Sequence, residues 1–361
     1  MPRRTALLPD RATRAKAAAC RAVALALTVL WLALAPSLLA AAPPSCLQDE
    51  RRYAVFDALF LQRNNASIDR PVVVSSAAPS APVLSANDPQ STVGTGARVF
   101  YGSYGEENVG WEAGYLGIWG MHAHRTVTDP GASLEAPNTL FATQTGLTNA
   151  TLAGMTENAS INSAEVNLVL HEYDGGFNRR SGRPAQRCDG YDGGHVDWIG
   201  GFRWANLQDS AVLAMAPGTA PVPSSYTATT SSNLFAGQVG TRGRMQFEHW
   251  GVEGFMKVGI AGTALSQSQS LVDALSPQPF RTPRSADTAG MGMIADMNLS
   301  AIYRFNDVWG LRAGYNLMWL TGVALAADQW DFTPSQAGGT GINGSGSIFL
   351  SGANLGLEAR W

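Results

Sequence analysis

The chain ends on the stretch Ile348-Phe-Leu-Ser-Gly-Ala-Asn-Leu-Gly-Leu-Glu-Ala-Arg-Trp361. Its apolar residues fall on alternate positions, with the charged residues between them. Phe349 and Leu355 share one face, whereas Glu358 and Arg360 share the other. A period of two is the side-chain period of a β-strand and not of a helix. The stretch therefore predicts a strand with one apolar and one polar face.

This last strand is long enough to cross a membrane. A tilted transmembrane strand needs about 9–11 residues, and the stretch ends on a bulky aromatic residue, Trp361, at the expected water boundary. A C-terminal aromatic residue of this kind is typical of bacterial outer-membrane barrels. The expected partners are outer-membrane lipid and the barrel-assembly machinery, which would recognise this strand. A half-apolar strand bordering a soluble core is the alternative.

The composition agrees with lipid contact and argues against other classes of protein. Charged residues make up 15% of the chain, below the quarter or so that is usual for soluble domains. The net charge is −3 and there is no run of like charges, so nothing indicates a nucleic-acid partner.

The first residues predict a secretory signal. Basic residues precede an apolar run at Ala22–Leu39, and the small residues Ala40–Ala42 follow it, which is the arrangement of a cleavable signal peptide. We expect a signal peptide at residues 1–42 and a single barrel domain at 43–361. An uncleaved anchor helix is the alternative, because the run approaches the length of a membrane span.

Alternation of the same kind recurs along the chain and predicts ten strands, with 8 or 12 as the other counts that fit. The connections between them alternate between long loops and tight turns, as in transmembrane barrels. We therefore expect a closed antiparallel up-and-down transmembrane β-barrel. The predicted strands cover residues 53–62, 96–104, 109–121, 163–172, 195–206, 230–247, 251–266, 291–305, 308–323 and 348–361.

The remaining segments are predicted to be loops. The longest of them are the polar stretches 122–160 and 207–229, the Pro-rich stretch 71–94 and the Gly-rich stretch 324–344. With both termini on the periplasmic side, the long loops lie outside the cell. The three tight turns then lie on the periplasmic side. The medium-length connection 173–194 is the only exception to this pattern, because it lies on the periplasmic side as well.

Two cysteines, Cys46 and Cys188, remain after the predicted signal peptide. In an oxidising compartment two cysteines are candidates for a disulfide, and the predicted topology places both on the periplasmic side. Two free thiols are the alternative, and the sequence does not decide between them.

The polar faces of the predicted strands point to the barrel lumen. Acids and bases are mixed there, so no strong ion selectivity is expected. The set either lines a narrow pore or fills the interior as a network of ion pairs and hydrogen bonds, since small barrels have little free space. The predicted lumen-facing residues are Glu165, Asn167, Asp197, Arg203, Gln238, Glu253, Lys257, Asp296, Asn298, Arg304, Arg312, Asn316, Asn354, Glu358 and Arg360.

Large aromatic residues recur on the opposite faces. Such residues form girdles where a barrel meets the two membrane interfaces; an aromatic core of a soluble protein is the alternative. The predicted girdle residues are Trp111, Trp119, Trp198, Trp204, Trp309, Trp319, Tyr115, Tyr303, Tyr315 and Trp361.

Several segments together resemble a known family, beta-barrel porin family seven, outer-membrane proteins common in planctomycete-type bacteria. The resemblance runs from about Tyr53 to Trp361, and it implies an outer-membrane barrel without an established substrate. The segments that carry it are Phe56–Arg63, Arg98–Gly102, Ala164–Leu168, Gly201–Trp204, Asn233–Gly240 and Gly352–Trp361.

Three other groups of residues resemble ligand-binding motifs but lack the neighbouring elements or the spacing that such sites require. Residues 339–344 match G-x-G-x-x-G, but a dinucleotide site needs a strand before the motif and a helix after it. His122 and His124 share a face without a third metal ligand. Asp189, Asp192 and Asp197 lack the spacing of a calcium loop. We therefore predict no metal and no cofactor.

Catalysis is not expected either. The sequence lacks G-x-S-x-G, and no Ser or Asp stands at a telling sequence spacing from His171, His195 or His249. The prediction is a non-enzymatic outer-membrane barrel, either a narrow passive pore or a plugged structural or adhesive barrel. A secreted or periplasmic β-sandwich that binds a ligand through its loops is the alternative. The sequence does not indicate an oligomeric state.

Overall fold

The computed structural model describes residues 52–65, 67–105, 109–137, 145–173, 191–217, 222–247, 249–275, 281–333 and 338–361. The predicted signal peptide at 1–42 lies outside the described residues, as do Cys46 and Cys188. The signal peptide and the disulfide therefore stay predictions.

Thirteen strands form in the described part of the chain, and all the pairs between them are antiparallel. In chain order they are β1 (Arg52–Arg63), β2 (Pro71–Ser75), β3 (Ala78–Ser85), β4 (Val93–Tyr104), β5 (Val109–Thr128), β6 (Leu134–Glu135), β7 (Ala150–Tyr173), β8 (Tyr191–Pro217), β9 (Ser224–Phe247), β10 (Trp250–Val272), β11 (Arg284–Arg304), β12 (Trp309–Val323) and β13 (Gly346–Arg360). Two single-turn 3₁₀ helices occur at Thr145–Leu147 and Ala327–Gln329.

Ten of the strands close into a barrel. Around the ring the order is β7, β5, β4, β1, β13, β12, β11, β10, β9 and β8, and β8 pairs again with β7. The first strand pairs with the last, with Tyr53 opposite Arg360. The predicted closed antiparallel barrel of ten strands is confirmed, and the β-sandwich alternative is wrong.

The connections divide the barrel into two ends. The turn end carries the connections 105–108, 174–190, 248–249 and 305–308, together with the start of β1 and the end of β13. The loop end carries the connections that contain β2, β3 and β6, and the long connection 324–345. There β2 pairs with β3 and β6, and β6 pairs with β7, so this hairpin extends the barrel wall.

Three of the predicted loops are wrong in part, because many of their residues are in strands. β5 continues to Thr128 and β7 begins at Ala150, so the predicted loop 122–160 shrinks to the connection 129–149, and β8 and β9 leave only 218–223 of the predicted loop 207–229. The stretch 71–94, predicted as loop, contains β2, β3 and the start of β4. All of these regions carry many small polar residues, which hid the alternation.

The outer face of the barrel forms an apolar belt next to the turn end. Of the predicted girdle, Trp204 is half-buried and the other nine residues are 40–56% exposed. Trp309 and Trp319 lie ten residues apart on β12, a separation of about 33 Å along a strand. A tilt of about 35–45° reduces this height to about 25 Å, the height of the apolar band of outer-membrane barrels.

Above the belt the two faces of the strands exchange character. Within the belt, β7 exposes Val166 and Leu168 and buries Glu165. Toward the loop end the same strand buries Met155 and Ile161, and its outward residues become Asn and Thr. The strands thus leave the lipid and continue as a water-exposed wall with an apolar interior.

A β-bulge reverses the facing that alternation predicts for the last part of β5. The parity of the predicted strand 109–121 places Met121 on the same outer face as Trp111 and Trp119, but Met121 is 2% exposed and lies inside. The register shifts between Ile118 and Met121, where Gly120 adopts a φ of +73°. A glycine in this left-handed conformation inserts one extra residue into the strand, which reverses the facing of the residues that follow.

Among the described residues, no helix has both the length and the apolar character needed to cross a membrane.

The belt predicts a position-dependent effect of charge on β11. Leu299, midway between the two aromatic levels, is 54% exposed; replacing it by arginine is expected to destabilise the folded barrel in lipid by about 2–4 kcal/mol. Ser285→Arg is the matched control, because Ser285 faces outward on the same strand above the belt. Urea unfolding in vesicles, followed by tryptophan fluorescence, measures both. Equal effects of the two substitutions would place the lipid boundary elsewhere.

Candidate functional site

The interior of the turn-end half holds a balanced set of buried charges, here called the ion-pair network. Seven acids and seven bases contribute to it in the described part of the chain, so its formal charge is zero. The acids are Asp57, Glu112, Glu165, Asp197, Glu253, Asp296 and Glu358, and the bases are Arg98, Arg203, Arg242, Arg244, Lys257, Arg312 and Arg360.

The centre of the network is a pair of glutamates shared by three arginines. Glu358 accepts hydrogen bonds from Arg244 at 2.6 Å and from Arg312 at 2.7 Å. Glu253 accepts from the same two arginines at 3.2 and 2.9 Å, and from Arg360 at 2.9 Å. These residues come from four different strands, β9, β10, β12 and β13. The cluster therefore joins strands that are not neighbours.

A second group of contacts crosses the barrel. Lys257 on β10 pairs with Glu165 on β7, and Gln238 donates to Glu165 at 2.6 Å. The Lys257 ammonium also lies 4.6 Å from the centroid of the Phe100 ring, within reach of a cation–π interaction. Arg203 pairs with Asp296 at 3.1 Å.

The upper edge of the network is made of amides and one ion pair. Arg98 binds Asp57 through two nitrogens at 2.5 and 3.0 Å and donates to Asn316 at 2.8 Å. Asn298 donates to Asn316 and to Asn354 at 2.9 and 3.0 Å. Buried charges need such additional partners, because desolvation otherwise exceeds the attraction between them.

Fourteen of the fifteen residues predicted to face the lumen are buried in this interior, at 6% exposure or less. Arg304 is the exception. It is the last residue of β11 and half-buried, and it donates to the Asp307 carbonyl in the adjoining turn at 3.3 Å. Five further residues of the network are not among the fifteen predicted ones, although strand parity places each of them on the inner face: Asp57, Arg98, Glu112, Arg242 and Arg244.

An apolar layer closes the lumen above the network. Nine of the ten barrel strands contribute to it, and all its members are buried. Its residues are Leu59, Leu61, Leu116, Ile118, Met121, Ala159, Ile161, Ala205, Leu207, Leu234, Ala236, Ala261, Ile294, Met318, Leu320, Val323, Leu325, Ile348 and Leu350. Most of these side chains are less than 3% exposed, so they pack closely against one another.

The remaining barrel strand, β4, makes room for this layer with glycine. A Cβ atom on Gly94 would lie 2.5 Å from Cγ of Met121, far inside van der Waals contact. The missing side chain therefore allows the methionine that the bulge turns inward to fill the lumen.

Residues 324–333, here called the inner loop, fill the barrel above the apolar layer. The loop is held by barrel groups: the Ala326 amide donates to Asp209 at 2.9 Å, and the Thr230 hydroxyl donates to the Ala324 carbonyl at 2.8 Å. Asp209 also pairs with Arg63 at 2.9 Å. Trp330, 1% exposed, packs near Tyr226 with their ring centroids 6.2 Å apart.

A pocket of about 590 Å³ lies at the loop end beside the inner loop. Arg70 and Asp328 supply charge to its lining, and Trp330 and Phe332 supply aromatic surface. The indole Nε1 of Trp330 is buried without a hydrogen-bond partner. Burial raises the pKa of Asp328 above its usual value. This mouth pocket combines apolar surface with a few polar groups, as ligand sites do.

The geometry of the interior disfavours an open channel. Between Tyr53, Glu112 and Arg242 in the network, the free space amounts to about 10 Å³, which is enough for about one water molecule. The Tyr53 hydroxyl bridges the other two groups, donating to Glu112 at 2.5 Å and accepting from Arg242 at 2.7 Å. Network, apolar layer and inner loop are stacked along the lumen.

The histidine pair and the glycine-rich motif, for which no site is predicted, form hydrogen bonds to neighbouring strands. His122 and His124 face outward on β5 and bond Asn158 and Thr156 of β7 at 2.8 and 3.0 Å. In the stretch 339–344, the carbonyls of Gly339 and Gly341 accept hydrogen bonds from Gln267, so the stretch packs against β10.

Comparisons with known proteins find similarity to solved structures only. No family model matches the chain, and no curated protein sequence matches it. The structure of the outer membrane protease OmpT from Escherichia coli matches with 10% identity and a TM-score of 0.49, over 88% of this chain and 99% of that one.

Two channel structures also match. A FadL homologue from Pseudomonas aeruginosa has 9% identity and a TM-score of 0.25, over 86% of this chain and 90% of that one. An anion-selective porin from Comamonas acidovorans has 10% identity and a TM-score of 0.14, over 86% and 98%. At such identities the similarity concerns the fold alone. The closed barrel and its exposed apolar belt make the chain an outer-membrane β-barrel.

The ion-pair network predicts a large effect of removing one shared acid. In Glu358→Gln, Arg244, Arg312 and Arg360 keep only Glu253 as a shared acid, and a buried unpaired charge costs about 3–5 kcal/mol. We expect the urea midpoint of the folded barrel in detergent to fall accordingly. Asp287→Asn makes the same chemical change at an exposed position on β11 and is expected to change stability by less than about 0.5 kcal/mol. Similar midpoints for both variants would contradict a stabilising role for the network.

Proposed function

We propose that the protein is a plugged, non-conducting outer-membrane barrel whose loop end is its functional surface. The observation that carries the proposal is the apolar layer. It extends across the lumen from nine of the ten strands, and its large members such as Leu61, Ile161 and Leu350 are at most 1% exposed. Ions do not cross a dry apolar constriction without wetting it.

The ion-pair network and the inner loop, which lie on either side of the apolar layer, also support a plugged barrel. Below it, the ion-pair network fills the barrel with side chains that bond to each other rather than to water. Above it, the inner loop is anchored to β8 and β9 through Asp209 and Thr230. A passive pore would require all three layers to rearrange together, which disfavours the pore alternative.

A binding or adhesive role follows for the part that projects beyond the lipid. The strands continue above the belt with a polar outer face, and the mouth pocket opens beside Arg70 and Trp330. Such a pocket suits a small ligand with an apolar body and a polar group. The resemblance to beta-barrel porin family seven is compatible with this role, because the family implies a barrel without a fixed substrate.

We also propose that the protein is not an enzyme. The support is the lack of a G-x-S-x-G motif in the sequence and the structural partners of the buried charges. In the network, acids and bases neutralise each other inside a filled barrel. A substrate would have no room beside them.

Planar-bilayer recording on the purified full-length protein tests the proposal. Insertion is verified beforehand by co-flotation with vesicles and by heat-modifiable migration in detergent gels. We expect inserted wild-type protein to give no stable conductance steps. Discrete and reproducible steps from the wild type would show an open pore and overturn the proposal.

A variant of the apolar layer provides the matched comparison. Leu61→Ser, Met318→Ser and Leu350→Ser together introduce hydroxyl groups on three adjacent strands and remove much of the apolar volume. Because the layer is the proposed barrier, we expect this variant to show measurable current when it passes the same insertion checks.

A further inference from the structure

Three side chains meet inside the barrel near the turn end, on two neighbouring strands. His171 on β7 lies opposite Asp197 on β8, and His195 precedes Asp197 by two residues. Two residues along a strand return a side chain to the same face. All three therefore point to the interior, although His171 stands far from the other two in sequence.

The three side chains are close and shielded from solvent. His171 Nδ1 lies 2.5 Å from Asp197 Oδ1, and the rings of His171 and His195 have centroids 4.4 Å apart. One nitrogen or oxygen atom from each residue falls within 4.8 Å of the others. The side chains of His171 and Asp197 are 7% and 0% exposed, and His195 is 9% exposed.

One atom of the cluster lacks the partner that burial demands. The Nε2 atom of His195 is buried and has no hydrogen-bond partner. Leaving such a group unsatisfied costs about 1–3 kcal/mol, so buried unsatisfied atoms call for an explanation. The hydrogen bond between His171 and Asp197 does not explain this atom, because the His195 imidazole takes no part in that bond.

Neighbouring groups hold the carboxylate in place. The Tyr104 hydroxyl donates to Asp197 Oδ2 at 2.9 Å, which leaves Oδ1 toward the histidines. Arg242 lies 3.8 Å from the same Oδ2, and its charge is matched by Glu112, with which it forms an ion pair. Partners of this kind orient the ligands of metal sites.

We propose that His171, His195 and Asp197 form a binding site for a divalent transition-metal ion of the zinc class. Two imidazoles and one carboxylate suit Zn²⁺, with a water molecule as the fourth ligand. Metal bonds of about 2.0–2.1 Å in tetrahedral geometry place the ligand atoms about 3.3 Å apart. The ligand atoms already lie within 4.8 Å of one another, and a bound ion would link β7 to β8.

Metal binding by the purified, metal-stripped full-length barrel tests the proposal. Titration calorimetry with Zn²⁺ is expected to show one equivalent bound, and thermal unfolding is expected to shift upward in zinc, because a ligand of the folded state stabilises it. His195→Ala is expected to weaken zinc binding by about tenfold or more. His122→Ala combined with His124→Ala removes two exposed histidines from the outer wall and is expected to leave the binding unchanged.

The opposite results overturn the proposal. These are no bound equivalent in the wild type, undiminished binding by a folded His195→Ala variant, or loss of binding in the outer-wall control. X-ray absorption of the zinc-loaded wild type gives an answer even if His195→Ala fails to fold. Imidazole and oxygen ligands without sulfur support the site, whereas sulfur ligands would assign the metal to cysteine.

Discussion

Pairing of the first strand with the last is the interaction on which the structure depends. β1 is bonded to β13 along nearly its whole length, from Tyr53 opposite Arg360 to Arg63 opposite Leu350. In lipid, an unpaired backbone N–H or C=O has no water to bond, and each costs several kcal/mol. Only a closed sheet satisfies all of them. Closure in turn creates an enclosed lumen, and whatever faces it must be satisfied from within.

The lumen meets that requirement in two different ways along its height. Next to the turn end, where lipid requires an apolar outer face, alternation leaves the polar residues inside, and seven acids neutralise seven bases. Toward the loop end the outer face meets water, so the interior becomes apolar and takes in the inner loop around Trp330. The same ten strands thus carry a membrane anchor and a compact water-exposed domain in continuous sequence.

The features that can be predicted from the sequence are those that the side-chain alternation within a single strand indicates. The alternation around Leu355 and Glu358 is visible within one strand, without knowledge of the neighbouring strands. It is sufficient to predict the barrel and its apolar belt. The sequence predicts a loop at residues 207–217, because their outward positions are mostly polar or small once the lipid ends. The burial of the inner loop depends on a cavity built by distant strands. The meeting of His171 with His195 depends on strand register, which spacing along the chain does not reveal.

The charged interior also fixes the register of the strands, which an apolar interior would not do. Sliding a strand by one residue exchanges its faces. In β13, such a slip would turn Glu358 and Arg360 into the lipid and Leu357 into the network, which charge burial forbids at several kcal/mol. With apolar residues on both faces the slip would cost little. The balanced charges therefore hold ten similar strands in one alignment, and the residues that fill the turn-end half of the lumen also specify the register.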